Sequence, residues 1–333
     1  MELGFDQKKN ITNSDKTIMW FKKVSSKTND LIVVRGIVKN WPDVLLFRLG
    51  FKEANFVMEL RNGLKINISK PKDYFRFWDT EGAQRALLKQ WGLDKKIKIK
   101  KNKKMIRFNF MHKSISLVYD SGKQIANTIR MIKDQFMEEQ YCWLDVRGKD
   151  VVDIGANIGD TAIYFALKSA KHVYAFEPYP YSYGLALKNI KLNELQDKIT
   201  LLNEGCGGKE TRIKIDSNYQ STANTDLKKF IKGKEIRITT LGDLLKRFKI
   251  TYPTILKIDC EGCEYAVLLK ASNDVLKKFE QIQIEYHHGY LNLKKKLEDA
   301  GFRVVAKFPE YGINQEVENK EMLMGFIYAQ KQN

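Results

Sequence analysis

The chain has 333 residues, of which 58 are Lys or Arg and 40 are Asp or Glu, giving a formal net charge of +18 with 43% hydrophobic residues. This length suffices for one large domain plus a smaller one, with a core that needs no covalent staples. No apolar run approaches roughly 18 residues, which excludes a membrane-spanning helix. The positive excess predicts attraction to anions, whether nucleic acid, an anionic membrane surface or an acidic glycan, and does not choose among them.

In chain order, the opening MELGFDQKKNITNSDK lacks the apolar core of a secretory signal, so a cytoplasmic chain is expected, peripheral at most at the inner membrane face. Residues 1–148 show no βα rhythm. WFKKV, DLIVVRGIVKNW, NFVMELRNGLKINI and KMIRFNF are short strand or helix candidates, and Arg61-Asn62-Gly63 is the expected turn of a hairpin. In KKIKIKKNKK, starting at Lys95, lysines alternate with Ile97 and Ile99. That pattern suits an edge strand whose lysines either discourage edge pairing or form an anion-binding stripe. This basic α+β region is expected to help recognise an acceptor.

From residue 149 to about 330 the pattern changes. Apolar runs alternate with amphipathic segments, as in a Rossmann-like, mostly parallel α/β sheet of seven strands flanked by helices. Strands are predicted in VVDIG, HVYAFE, KITLLN, RIKI, EIRITT, TILKID and QIQIEY, and RVVAKF with MLMGFIYA forms a closing antiparallel hairpin. Helices are expected after Asp160, over Tyr181 to Leu192, after Thr240, over Gly262 to Lys270, and from Leu291 to a stop at Gly301. GCGG at Gly205 to Gly208 reads as a turn, and DSNYQSTANTD as a surface loop able to cover a site. Cys142, Cys206, Cys260 and Cys263 are too few for a disulfide framework, in keeping with a reducing compartment. Cys260-Glu-Gly-Cys263 has the spacing of a metal or redox pair, but no second pair exists, and neither role is expected.

VVDIGANIGD carries the chemistry. An apolar strand runs into Asp153, a turn follows with Gly155 and Gly159 four apart, and Asp160 opens a helix. A ligand there would meet a helix N-terminus and amides uncovered by side chains. The spacing is not the GxGxxG of dinucleotide-binding turns, and the two acids would repel a pyrophosphate. They suit a cationic amino-acid end. Glu177, at the end of the next strand, is placed to accept both hydroxyls of an unphosphorylated ribose. A ribose, an ammonium group and no phosphate describe S-adenosylmethionine.

DIGANIGDTAIYFA, VYAFEPYPYSYGLALKNIKLN and LKIDCEGCEY, in that order, resemble the FkbM family of class I S-adenosylmethionine-dependent methyltransferases. The resemblance implies that Asp153, Gly155 and Gly159, with Ala156, Asn157 and Asp160 of the same turn, surround the methionine end of the cofactor. It implies that Glu177, followed by Pro178, holds the ribose and that Asn203 or Glu204 lies beside the adenine. It also implies O-methylation of a hydroxyl, commonly on a sugar or natural product.

The crevice of an α/β sheet lies at the carboxyl ends of its strands. Asp259 and Glu261 after one strand, and Glu285, His287 and His288 after the next, are therefore the candidates to align an acceptor and take its proton. Asp259 is also expected to border the cofactor, and Glu264 to cap the following helix. No metal is expected: Asp259 and Glu285 alone offer too few oxygens for a hard cation. Two other readings stay open. One is an RNA acceptor, which the charge favours and the second motif's likeness to tRNA methyltransferases supports; the chain has Asp-Cys-Glu-Gly where base-nitrogen enzymes carry an Asn-Pro-Pro-like element. The other is a non-catalytic Rossmann-like binding module.

Overall fold

A computed structural model describes residues 34–49, 51–70, 73–74, 77, 80–119, 122–217, 232–307, 310–314 and 320–332. The opening segment, WFKKV and most of DSNYQSTANTD lie outside them. The chain divides into two compact units, Met1–Met131 and Ile132–Asn333. Among the described residues no helix is long and apolar enough to cross a membrane.

In the first unit, helix α1 (Trp41–Leu49) precedes the hairpin β1 (Phe56–Glu59) and β2 (Lys65–Ile68). Gly63 turns this hairpin at φ +86, as Arg61-Asn62-Gly63 foretold. Helix α2 (Glu81–Gln90) starts at Thr80, whose side chain accepts the amide of Ala83. Strands β3 (Ile97–Lys100), β4 (Met105–Phe110) and β5 (Lys113–Val118) form an antiparallel sheet with the lysine-rich β3 at its edge. Met58, Leu60, Tyr74, Phe77 and Ala83 belong to a buried apolar cluster. Helix α3 (Gly122–Ile132) ends the unit and runs into a π-helical turn, Lys133–Met137.

The second unit is built on β6 (Asp150–Ile154), β7 (His172–Phe176), β8 (Ile199–Leu202), β12 (Thr254–Ile258), β13 (Phe279–Tyr286), β14 (Phe302–Ala306) and β16 (Lys320–Lys331). Their spatial order is β14-β16-β13-β12-β6-β7-β8, with β15 (Glu310–Asn314) paired to β16 off this path. β16 runs antiparallel to β13 and β14, and the five strands from β13 to β8 are parallel. The helices are α4 (Asp160–Leu167), α5 (Pro180–Leu192), α6 (Leu241–Arg247), α7 (Glu264–Lys270), α8 (Asn273–Leu276) and α9 (Leu291–Asp299). This is the expected seven-stranded α/β architecture. The strand order reverses between β6 and β12, and such a switch point opens a crevice at the carboxyl ends of the strands. GCGG was expected as a turn, but Gly205–Cys206 forms β9, paired with β11 (Lys234–Thr239) beside β10 (Thr211–Ile215) in a small sheet. Gly205 and Gly207 sit there because a Cβ at either would collide with Ile238.

The two faces of the main sheet differ in chemistry. Val152, Ile154, Leu256, Ile258, Ile282, Ile284 and Tyr286 belong to one buried apolar cluster. The alternate positions, which point to the opposite face, include Asp153, Lys257, Gln281, Gln283 and Glu285. Residues 139–145 lie over that polar face. Gln283 Nε2 donates to the Gln140 carbonyl at 3.1 Å, and Gln281 Oε1 accepts the Asp145 amide at 2.7 Å. These bonds explain why the second unit begins at Ile132, ahead of the 148/149 division expected from the start of the βα rhythm.

Candidate functional site

The turn from β6 to α4 is fixed by its own backbone. Gly155 and Ala156 both donate to the Phe176 carbonyl at 3.0 Å, and the Gly159 amide donates to the Ala156 carbonyl at 2.6 Å. The Asn157 amide donates to Glu177 Oε2 at 2.9 Å. Several turn amides expected to face a ligand are thus taken by protein acceptors. Gly155 is required for another reason: at φ +85, a Cβ would lie 1.7 Å from the Asp259 carbonyl oxygen. The glycine lets the loops after β6 and β12 touch. Asp160 is buried in the first turn of α4, and burial lifts its pKa to about 7.

Glu177 stands at the tip of β7 with 4% of its surface exposed. Its Oε1 accepts the Tyr179 amide at 2.9 Å, opposite the bond from Asn157. Each oxygen keeps lone-pair capacity for a further donor. Burial raises this carboxyl to about 8, against the two amide bonds. Pro178 follows it, half-buried. Asn203 donates through Nδ2 to the carbonyls of Glu177 and Pro178, both at 3.0 Å, so it braces the backbone that carries Glu177. Glu204 holds Arg247 in a two-point ion pair, Nη1 to Oε1 at 3.0 Å and Nη2 to Oε2 at 2.9 Å.

Asp153, expected to project into the crevice, is wholly buried. Its Oδ1 lies 2.9 Å from Lys257 Nζ and its Oδ2 accepts Thr161 Oγ1 at 2.6 Å. Lys257 also donates to the Gly155 carbonyl at 2.8 Å. Burial alone would lower the Lys257 pKa, but Asp153 and Asp259 more than offset this and leave it raised. The two residues are register partners on adjacent strands. Asp153 thus serves the turn through Lys257. Sequence reasoning missed Lys257; its signal was a lone cation inside the apolar run TILKI.

The candidate catalytic groups gather at the ends of β12 and β13. Asp259, Glu261 and His287 each offer a ligand atom within 4.8 Å of the others. His287 is fully buried, with Nε2 3.1 Å from Glu261 Oε2 and Nδ1 3.0 Å from Glu264 Oε1. Burial would lower its pKa, yet Glu264 and Glu261 hold it well above the usual range. Both ring nitrogens thus face carboxylates, and His287 holds Glu261 and Glu264 in place. Glu264 stands in the first turn of α7, but its Oε2 accepts the amide of Gly262, ahead of the N-cap Cys263, at 2.9 Å, so it braces the preceding turn rather than capping the helix; its second oxygen holds His287. Burial lifts Asp259 to about 6 and, followed by Asp259, raises Glu285 well above the usual carboxylate range. Glu285 meets Gln140 Nε2 at 3.5 Å. His288 points elsewhere: its amide donates to Tyr265 Oη and its ring tilts against the Tyr265 ring.

Cys260 and Cys263 are joined in a disulfide, which corrects the expectation that the pair has no such role. Glu261 and Gly262 take φ +58 and +116, and this tight turn brings the two cysteines to a Cα separation of 5.5 Å, within disulfide range.

Residues 153–304 match the Methyltransferase FkbM domain, the family whose motifs the sequence resembles. Ribosomal protein L11 methyltransferase of Carboxydothermus hydrogenoformans is 44% identical over 55 residues, 16% of this chain and 18% of that protein. The chain thus spans less than a fifth of that relative's length. Uncharacterized protein 65 of Sulfolobus islandicus filamentous virus is 27% identical over 169 residues, 50% of this chain and 78% of that protein. Among solved structures, M. capricolum TrmK in complex with S-adenosyl-homocysteine aligns at TM-score 0.37 and 16% identity, covering 60% of this chain and 69% of that one. Likeness at that level says nothing about an acceptor.

Proposed function

We propose that the second unit binds S-adenosylmethionine at the carboxyl ends of β6 and β7 and transfers its methyl group to a hydroxyl of a sugar, glycan or small natural product. The observation that carries this reading is Glu177: a buried carboxylate, oriented by two backbone amides, across from the Gly155–Gly159 turn. Its remaining lone pairs suit the two hydroxyls of a ribose. Asp160, at the start of α4, suits the cofactor's ammonium end.

Transfer requires in-line approach of the acceptor to the sulfonium. The bound cofactor would supply the methyl group to the hydroxyl oxygen and leave as S-adenosylhomocysteine, and Glu285 would accept the hydroxyl proton. A raised pKa makes Glu285 a stronger proton acceptor than an ordinary carboxylate. Asp259, held against the cofactor turn, and the His287 cluster align the acceptor.

An RNA acceptor is the second reading, favoured by the net charge of +18. Calorimetry with S-adenosylhomocysteine tests the cofactor: wild type binds and Glu177→Ala does not. Equal binding by both would overturn the assignment. Methyl-labelled S-adenosylmethionine offered to glycolipid, small-metabolite and RNA fractions then separates the acceptors; label in RNA alone would overturn the first reading.

A further inference from the structure

At the end of β12 His287 stands between two acids, with Nε2 3.1 Å from Glu261 Oε2 and Nδ1 3.0 Å from Glu264 Oε1, and Asp259 offers an oxygen to the same group. His287 is also aimed in a particular way. Glu264, itself fully buried, takes both the Nδ1 edge and the backbone amide of His287 at 3.0 Å. The ring cannot turn, and Nε2 faces Glu261 and Asp259. A carboxylate behind one ring nitrogen is the arrangement that orients a histidine ligand toward a metal through the other.

A second observation is independent of this cluster. Tyr141, on the segment that covers the sheet's polar face, is 0% exposed, and its hydroxyl has no hydrogen-bond partner among the described residues. Asp259 and then Glu285 are the charges acting most strongly on it. A buried phenol left unpaired costs stability unless something fills its place. A cation's bound water or an acceptor oxygen beside Asp259 would do so.

We propose that Asp259, Glu261 and His287 Nε2 form a divalent-cation site at the end of β12. One nitrogen and two carboxylates suit Mn²⁺ or Zn²⁺. This rests on the methyl-transfer reading and narrows its acceptor. The cation leaves coordination positions open, so it selects an acceptor with two neighbouring oxygens, as on a vicinal diol, and holds one beside Glu285. The sequence weighed Asp259 with Glu285; the fold supplies Glu261 and His287 instead.

The test is Mn²⁺ titration of the full, chelator-stripped chain, with free Mn²⁺ read by electron paramagnetic resonance. One Mn²⁺ per chain is expected, weakened about tenfold or more in Glu261→Gln and in Asp259→Asn. Calorimetry with S-adenosylhomocysteine on the same samples shows whether the fold and cofactor crevice survive. No Mn²⁺ uptake up to about 1 mM, or uptake undiminished in both variants, overturns the site. If S-adenosylhomocysteine still binds in that case, the methyltransferase reading stands and only the cation falls.

Discussion

Lys257→Met tests whether the buried ion pair is what fixes the turn after β6. Asp153 and Lys257 lie 2.9 Å apart with both side chains fully buried. At an effective dielectric of about 20 this separation gives about 6 kcal/mol of attraction. Desolvation of the two ions cancels much of that, so the pair's net worth is small, yet removing one partner strands the other. Lys257→Met would leave Asp153 charged in the interior with Thr161 as its donor, and the Gly155 carbonyl without its bond. A loss of about 3–5 kcal/mol is expected. The double variant Asp153→Asn/Lys257→Met should cost less than Lys257→Met alone, because no uncompensated charge remains. Hydrogen exchange of β6 and β12 peptides across a urea series reads the second unit separately. A loss under about 1 kcal/mol for Lys257→Met, or a double variant equal to the sum of the singles within about 0.5 kcal/mol, would refute the reasoning.

The pKa of Glu177, raised to about 8 by burial, gives cofactor binding a definite pH dependence. A carboxyl whose folded pKa is raised carries its proton below that value, and must release it to accept two ribose hydroxyls. Affinity for S-adenosylhomocysteine is therefore expected to climb, by at most about tenfold per pH unit, as pH rises toward 8, and to level off above. Glu177→Gln should bind weakly with no slope, and a flat wild-type profile measured by calorimetry would contradict the assignment. The Cys260–Cys263 link closes a short loop, for which chain entropy gives about 2 kcal/mol. Reduction, or Cys260→Ser/Cys263→Ser, should lower the urea midpoint of α7 peptides accordingly, and an unchanged midpoint would remove any structural role for the bond.

The sheet was legible because its strands are short apolar runs between turn residues, and the closing hairpin because RVVAKF and MLMGFIYA fit the same pattern. The place of Glu177 at the tip of β7 was legible for the same reason; its burial and its two amide partners were not. Register was not. Asp153 and Lys257 become partners only when β12 docks beside β6, and no local pattern announces that pairing. QIQIEY did show its alternation, but a polar face normally implies solvent, whereas here residues 139–145 cover it. Gly155 suggested room for a ligand, while the space is filled by the Asp259 carbonyl. The cysteine pair was set aside on a compartment argument; the positive φ values of Glu261 and Gly262 that bring the two sulfurs together are visible only in the fold.

The segment from Gln140 to Asp145 has a consequence for how relatives can diverge. It precedes residue 153, where the family match begins, yet it covers the polar face of the sheet and touches Glu285. Gln140 and Tyr141 belong to no strand, and under the methyl-transfer reading proposed above they are where acceptor preference would differ between relatives. Sorting such proteins by the shared domain alone would leave out a segment in direct contact with Glu285.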